Sequence, residues 1–494
     1  MAGMRWRGSE AALRMAVREP GDMDDTTPEQ LEQALAATAA ATAGAAATTP
    51  AGRAAMLRAC ADALDAAAGE LVPLAIDETH LTEGRLTGEL ARSTFQLRFF
   101  AEAVTDGSCF GAVIETAEPD FALGPRPDLR RLLEPIGAVL VFAASNFPFA
   151  FSVAGGDTAA ALAAGCPVLV KAHHGHPRLS ARVGELLADA AAPVEVVHGV
   201  EAGRNALLDG RIKAAAFTGS TVGGRALYDL AATRPDPIPF FGELGSVNPA
   251  FVSPGAVAAR GEQVVEGFVG SFTLGVGQFC TKPGLLFLPA GHGLTDRLAA
   301  AVGDVGSAPM LGEWVERRYL ETLDERRSHA GVRTLQAGDG TAPTLLAAPL
   351  ATFADEIALL GDECFGPTAL VVEYDDEGGL AAAAASVEGS LTATLHIEPG
   401  EEAWARPLLD ALRPRAGRIV VTGWPTGVAV SPAMHHGGPW PAATLPLHSS
   451  VGGNSIDRFL TPTCYQNVPD ALLPPALQAA NPLDIRRRVD GDWA

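Results

Sequence analysis

The feature that most constrains this chain is a rhythm that sets in at Ile136, where short runs rich in β-branched residues alternate with alanine-rich stretches of helical length. GAVLVFA (137–143), PVLVK (167–171), VEVVH (194–198) and IKAAAF (212–217) read as buried strands. GDTAAALAAG, LSARVGELLADAA and GGRALYDLAAT read as the intervening helices. Such alternation specifies a parallel, doubly wound α/β sheet, because a parallel neighbour is reached only through a crossover. Ligands of these sheets bind outside the carboxyl ends of the strands. That rule directs attention to residues 143–148, 171–176 and 218–223. A second region, 244–423, has strands of its own (LLFLP, ALVVEY, RIVVT) and therefore its own core.

Composition narrows the class of molecule. With 494 residues, 48% hydrophobic and 19% charged, the chain is globular and long enough for two or three domains. Its 36 Lys and Arg against 58 Asp and Glu leave a net charge of −22, which repels phosphate backbones and anionic lipid, so neither nucleic acid nor membrane is expected as a partner. Six cysteines without a CxxC pair read as reduced thiols of a cytoplasmic protein. The apolar run 136–154 is broken by Ser145, Asn146, Pro148 and Ser152 and leads into a Gly-Gly turn, so it reads as a strand and loop rather than a membrane span. Residues 1–24 read as a disordered tail without a secretory signal. From Thr27 to Val104 the spacing predicts packed helices, with Leu57, Cys60 and Leu64 on one face.

The common catalytic signatures are missing: no Walker A loop, no HExxH and no GxSxG. His173, His174 and His176 have no Asp, Glu or Cys beside them to complete a ligand set, so no metal is expected. What remains is AASNFPFAF (143–151), VLVKAHHGHP (168–177), FTGSTVGG (217–224), FGELGSVNP (241–249), GVGQFCTKPG (275–284) and DECFGP (362–367). Cys280 follows Gly275, Gly277 and Gln278, small residues that let a carbonyl approach its sulfur; as a thiolate it is a nucleophile. The bland alternative is a buried inert thiol, as assumed for Cys60, Cys166 and Cys464. Glu243 follows the apolar PIPFF, where a raised pKa suits a general base; otherwise it is a solvated strand-end carboxylate. Asn146 ends a strand, where its amide and the Cys280 N–H offer two donors to an oxyanion; otherwise it is a turn residue.

Lys171 is one of only three lysines, and at a strand end it suits a ribose hydroxyl or phosphate. Gly219, Ser220 and Gly223 form a strand-to-helix turn that either holds a pyrophosphate or merely caps the helix.

In order, spacing and wording these strings resemble the aldehyde dehydrogenase superfamily over about residues 27–465. SNFPFAFSVAGGDTAAALAAGCPVLVKAHHGHP, GWPTGVAV and HHGGPWPA resemble its α-ketoglutaric semialdehyde (2,5-dioxopentanoate) dehydrogenase branch. The resemblance implies a Rossmann-type cofactor domain (25–121 and 136–243), an α/β catalytic domain (244–423) and a small β oligomerisation flap (122–135 and 440–470) of a homodimer or homotetramer. It implies oxidation of an aldehyde to an acid through a Cys280 thioester, with Asn146 holding the oxyanion and Glu243 activating water. Glu363 and Phe365 match the family's contacts to the nicotinamide ribose and ring. NAD-preferring relatives often carry a Glu where His174 stands, and a partly protonated His there favours NADP over NAD. Arg98, in FQLRFFAEAV, is the expected fork for a substrate carboxylate, unless it is a surface arginine. The family usually starts with a β-hairpin, which residues 1–24 do not resemble. Succinic, glutaric or aliphatic aldehydes are alternative substrates, and a non-catalytic scaffold is the alternative of another class.

Overall fold

The computed structural model describes residues 23–494, so most of the tail expected over 1–24 lies outside the described residues. Four helices come first: α1 (Pro28–Ala47), α2 (Pro50–Ala66), α3 (Ala68–Thr79) and α4 (Glu83–Asp106). Thr27 and Gln30 cap α1 reciprocally, and Thr49 caps α2; a proline at each first turn needs no N–H there. Leu57, Cys60 and Leu64 are fully buried, as their spacing on α2 predicts. The last helix stops at Gly107, whose φ of +75° and whose closeness to Ile485 leave no room for a Cβ.

Next in the chain are β1 (Val113–Glu115) and β2 (Leu129–Pro135), then the strands of a parallel sheet: β3 (Ala138–Phe142), β4 (Val168–Lys171), β5 (Val194–Val197), β6 (Ile212–Thr218) and β7 (Phe240–Glu243). Between them run α5 (Gly156–Ala164), α6 (Pro177–Asp189), α7 (Val200–Leu208) and α8 (Thr221–Ala231). The sheet order is β5-β4-β3-β6-β7, all parallel. The chain starts at β3, winds outward one way, then returns to β6 on the other side. That reversal opens a crevice above β3 and β6, the usual ligand position of such sheets. Asn146 leaves β3 and Ser220 leaves β6 at this point. The apolar run 136–154 resolves into β3 and its loop; among the described residues no helix is long and apolar enough to cross a membrane.

The second sheet uses β8 (Pro249–Val252), β9 (Leu285–Pro289), β10 (Arg333–Gln336), β11 (Thr344–Pro349), β12 (Thr368–Tyr374), β13 (Ser390–His396) and β14 (Ala416–Val421), in the order β10-β11-β12-β9-β8-β13-β14. Only β10 runs antiparallel to its neighbour. Its core includes Phe251 and Phe287, stacked with centroids 4.4 Å apart.

A third sheet has the order β15-β2-β1-β16-β17, with β15 (Leu460–Gln466), β16 (Arg488–Val489) and β17 (Asp492–Trp493). The segments expected to form a flap thus meet as the antiparallel pair β2 and β15, with Leu460 opposite Pro135 and Gln466 opposite Leu129. Two contributions to this sheet fall outside the expected flap, namely β1 and the C-terminal hairpin. The stretch 440–459 stays out of it and runs along the first sheet instead. Ala443 bridges Glu243, Thr444 N–H donates to Gly242 O (3.0 Å), and Leu244 N–H donates to Ala442 O (2.8 Å). This short pairing covers the open edge of β7, satisfying backbone groups that a bare edge would expose.

Candidate active site

Pairing along β7 carries two side chains of the late chain to Glu243. His436 Nε2 lies 3.0 Å from Glu243 Oε1, and the Ser450 hydroxyl donates to Oε2. All three residues are buried. Burial alone would push the Glu243 carboxyl up, but His436, Ser450 and Arg458 together outweigh it and hold the group below its ordinary value. The sequence reading expects a raised pKa here. It fails because the donors that reverse the sign sit some two hundred residues away in sequence.

Cys280 Sγ faces the same imidazole, 3.7 Å from Nε2. Its loop, between α9 (Pro254–Thr273) and β9, is held from both sides. Gly275, Val276 and Gly277 have φ of +56°, +58° and +66°. A β-branched valine at positive φ is strained, and such strain persists only where the surroundings enforce it. A Cβ at Gly277 would lie 2.1 Å from Gly366 O, and one at Gly275 would lie 2.3 Å from Arg85 Nη1. The glycines therefore serve the approach of the protein's own groups, not the open path to the sulfur that the sequence suggests. Asn248, itself at φ +53°, donates from Nδ2 to Cys280 O (2.8 Å) and Lys282 O (3.0 Å). Burial pushes the Cys280 thiol well above its ordinary value, Glu243 and Glu363 add to this, and Arg92 pulls the other way.

Asn146 is nearly buried, and its Nδ2 donates to Gln278 O at 3.0 Å, leaving one amide N–H for another acceptor. Glu89 of α4 accepts the N–H groups of Phe149 and Ala150 (2.8 and 3.0 Å), fixing the loop that carries Asn146. Arg85 donates to Asn146 O while lying over the rings of Phe147 and Phe279, 5.1 and 4.6 Å from their centroids. Arg92, on the same face of α4, sits over Phe151 and faces the charges of Cys280 and Glu243. It has no ion pair or hydrogen-bonded partner among the described residues.

Arg98 is not brought to this site. It pairs with Asp62 (2.6 Å) and Asp65 (2.8 Å) of α2, with 39% of its side chain exposed. The surface reading of Arg98 holds.

At the carboxyl ends of the first sheet, Lys171 ends β4 with an ammonium that has no hydrogen-bond partner among the described residues. Burial lowers its pKa to about 8, against an opposing pull from Asp25. His174 packs between His173 (4.2 Å) and Trp314 (5.5 Å). Burial, then Lys171 and His176, push its pKa down to about 4, so it is neutral at pH 7, not partly protonated. His176 is bonded to Ala144 O (2.9 Å) and Ser180 Oγ (3.1 Å), a structural role.

Ser220 caps α8 by accepting the Gly223 N–H (3.2 Å), and Gly219 N–H goes to Glu243 O (3.0 Å). Those two amides are spent, while the exposed Ser220 hydroxyl keeps its proton for another acceptor at a helix N-terminus. Glu363 and Phe365 sit half-buried in the loop before β12. A Cβ on Gly245 would lie 2.7 Å from Glu363 Oε2 and 2.8 Å from Thr221 Oγ1, so this wall of the crevice is closely built. An unpartnered ammonium, a polar helix start and a tight glycine turn around one crevice fit a dinucleotide.

The aldehyde dehydrogenase family profile matches residues 14–438. The chain belongs to the aldehyde dehydrogenase family. It is 43% identical over 459 residues to α-ketoglutaric semialdehyde dehydrogenase 2 of Azospirillum brasilense, covering 89% of this chain and 87% of that one. It is 42% identical over 440 residues to α-ketoglutaric semialdehyde dehydrogenase of Acinetobacter baylyi, covering 85% and 83%. Succinic semialdehyde dehydrogenase from Streptococcus pyogenes, solved in complex with NADP+, has the same fold: TM-score 0.77 at 15% identity, covering 91% of this chain and 97% of that one.

Within this aldehyde dehydrogenase, sequence reasoning gave no role to His436, Ser450, Glu89 or Arg92. The only signal for His436 was the HHGGPWPA string, and for Arg92 its place one helical face round from Arg98. Lys282 is another of the three lysines. It is fully buried, and its ammonium donates to Cys364 O, Gly366 O and Thr368 O, tying the Glu363 loop to the Cys280 loop. Lys213, the remaining lysine, pairs with Asp236 at 3.4 Å on the surface. Lys282→Met is expected to cost at least about 2 kcal/mol, because three buried carbonyls lose their donor. Denaturant unfolding measures this, and an unchanged midpoint would count against the tie.

Proposed function

We propose that this aldehyde dehydrogenase oxidises 2,5-dioxopentanoate (α-ketoglutaric semialdehyde) to 2-oxoglutarate, with NADP as the preferred cofactor. The observation that carries the reading is the buried meeting of Cys280 with Glu243, His436 and Ser450 beside the crevice, with the unpaired Arg92 on its wall. The names of two relatives above 40% identity support the substrate.

In this reading Cys280 Sγ attacks the aldehyde carbon. The second N–H of Asn146 and the Cys280 backbone N–H take the developing oxyanion, where donors fixed in advance act most strongly. Lys171, Ser220, Glu363 and Phe365 would hold the dinucleotide, which when bound supplies the hydride acceptor. Glu243, ionised at neutral pH, takes a proton from the water that hydrolyses the Cys280 thioester. Arg92 receives the distal carboxylate of the substrate in place of Arg98. NADP preference rests on His174: a neutral imidazole there lacks the charge with which a carboxylate would repel a 2′-phosphate.

The 7-residue strand β15 ends its sheet with an edge that is unpaired among the described residues, which supports a homo-oligomer joined through that sheet. Six free cysteines suit the reducing cytoplasm.

The test is NADPH production from 2,5-dioxopentanoate. Wild type is expected to be active and Cys280→Ala inactive; faster oxidation of a simple aliphatic aldehyde would remove the substrate assignment. Arg92→Ala should lower kcat/KM for 2,5-dioxopentanoate by roughly 10–150-fold, the worth of one charged hydrogen bond. It should hardly change kcat/KM for propanal, and an equal loss for both aldehydes would exclude Arg92 as the carboxylate partner. His174→Glu should move the NADP-to-NAD preference at least roughly tenfold toward NAD, since like charges brought together cost several kcal/mol. Cofactor titrations of kcat/KM read that ratio.

A further inference from the structure

His436 takes no part in the reaction as derived above, yet it touches both reacting side chains. Its ring is 1% exposed and Glu243 is 4% exposed. Nε2 lies 3.0 Å from Glu243 Oε1 and 3.7 Å from Cys280 Sγ. Nδ1, on the far side of the ring, and Glu243 Oε1 are both buried without a hydrogen-bond partner among the described residues, Nε2 approaching Oε1 at ion-pair distance only. A buried N–H without an acceptor is costly, whereas an imidazole nitrogen without its proton tolerates that position better. Whichever the charge of the ring, a proton is therefore favoured on Nε2, between a carboxylate oxygen that needs a donor and a sulfur.

We propose that His436 is a positioning residue whose single Nε2–H is shared between Glu243 and Cys280, stabilising the thiolate of Cys280 while orienting the Glu243 carboxylate. Burial and two nearby carboxylates all oppose a sulfur anion at this place. A donor aimed at the sulfur offsets part of that opposition. When Cys280 is acylated its sulfur no longer carries charge, and the proton falls back on Oε1, keeping that oxygen oriented while water is activated. Ser450 holds Oε2 throughout.

The charged and titratable groups around the pair come from several elements. Arg92 and Arg85 of α4, Glu363 of the loop before β12 and Arg418 of β14 face Cys280. Arg458 and Asp157 lie on the Glu243 side, and His435 is beside His436. None of these changes in the test below, so a shift reports on His436.

The inference rests on the reading of Cys280 as nucleophile, and its test needs neither aldehyde nor dinucleotide. The full-length protein is alkylated with iodoacetamide across a pH series, and modification of Cys280 is followed by peptide mass spectrometry, which separates it from the other thiols. At neutral pH, His436→Leu is expected to slow Cys280 alkylation about tenfold, equivalent to a rise of one pKa unit. His436→Gln, which restores an N–H near the Nε2 position, should recover most of the rate. His436→Ala serves if the Leu variant does not fold, as judged by its melting transition.

Superimposable profiles for wild type and the donor-less variants would overturn the proposal, and so would a Gln variant no faster than Leu. If those profiles coincide while 2,5-dioxopentanoate is still oxidised, the positioning role falls and the enzymatic reading stands. If the profiles separate while no aldehyde is oxidised, the reverse holds.

Discussion

The three-residue segment that pairs along the open edge of β7, hydrogen-bonded through Ala442 and Thr444, organises the rest of the site. Without Ala442, Ala443 and Thr444 on that edge, Glu243 would be an ordinary strand-end carboxylate. With them, the flanking segment delivers His436 from one side and Ser450 from the other, and a buried anion acquires a hydroxyl donor on one oxygen and an imidazole nitrogen 3.0 Å from the other. Backbone pairing is the right device for this. It fixes the register of a segment that has little secondary structure of its own, and so fixes side chains well beyond the paired residues.

A second constraint holds the nucleophile loop within the second α/β unit. Asn248 reaches the carbonyls on either side of Thr281, and Lys282 reaches three carbonyls of the Glu363 loop. Those loops come from different parts of the chain, so neither propensity nor local spacing holds them. The strain at Val276 is stable because both anchors lie within a few residues of it.

Legibility in the sequence followed the range of the forces involved. The strands β3 and β4 were readable because both faces are buried, so nearly the whole segment must be apolar. Leu57, Cys60 and Leu64 were readable because a single helix sets their spacing. Arg98 was misplaced because a string match does not carry a helical phase. It lies six residues beyond Arg92, about one and two-thirds turns, and so on another face of α4. The protonation of Glu243 and His174 was misjudged for a related reason: each depends on neighbours that only the folded chain supplies. The strands β16 and β17 have two residues each, too few for any periodicity to announce them. Cys280, Asn146 and Glu243 were legible because their strings carry a family pattern, which also names the family; the geometry added His436.

The scarcity of lysine bears on the chemistry the chain is made to handle. Lys282 is sealed in the interior, Lys171 is half-buried in the crevice, and Lys213 stands in an ion pair. Aldehydes condense with unprotonated primary amines to form Schiff bases, so a surface furnished with arginine in place of lysine gives them little to attack. Reductive amination of the folded protein should accordingly leave its side chains almost unmodified, with Lys213 and the crevice's Lys171, unpartnered among the described residues, the exceptions.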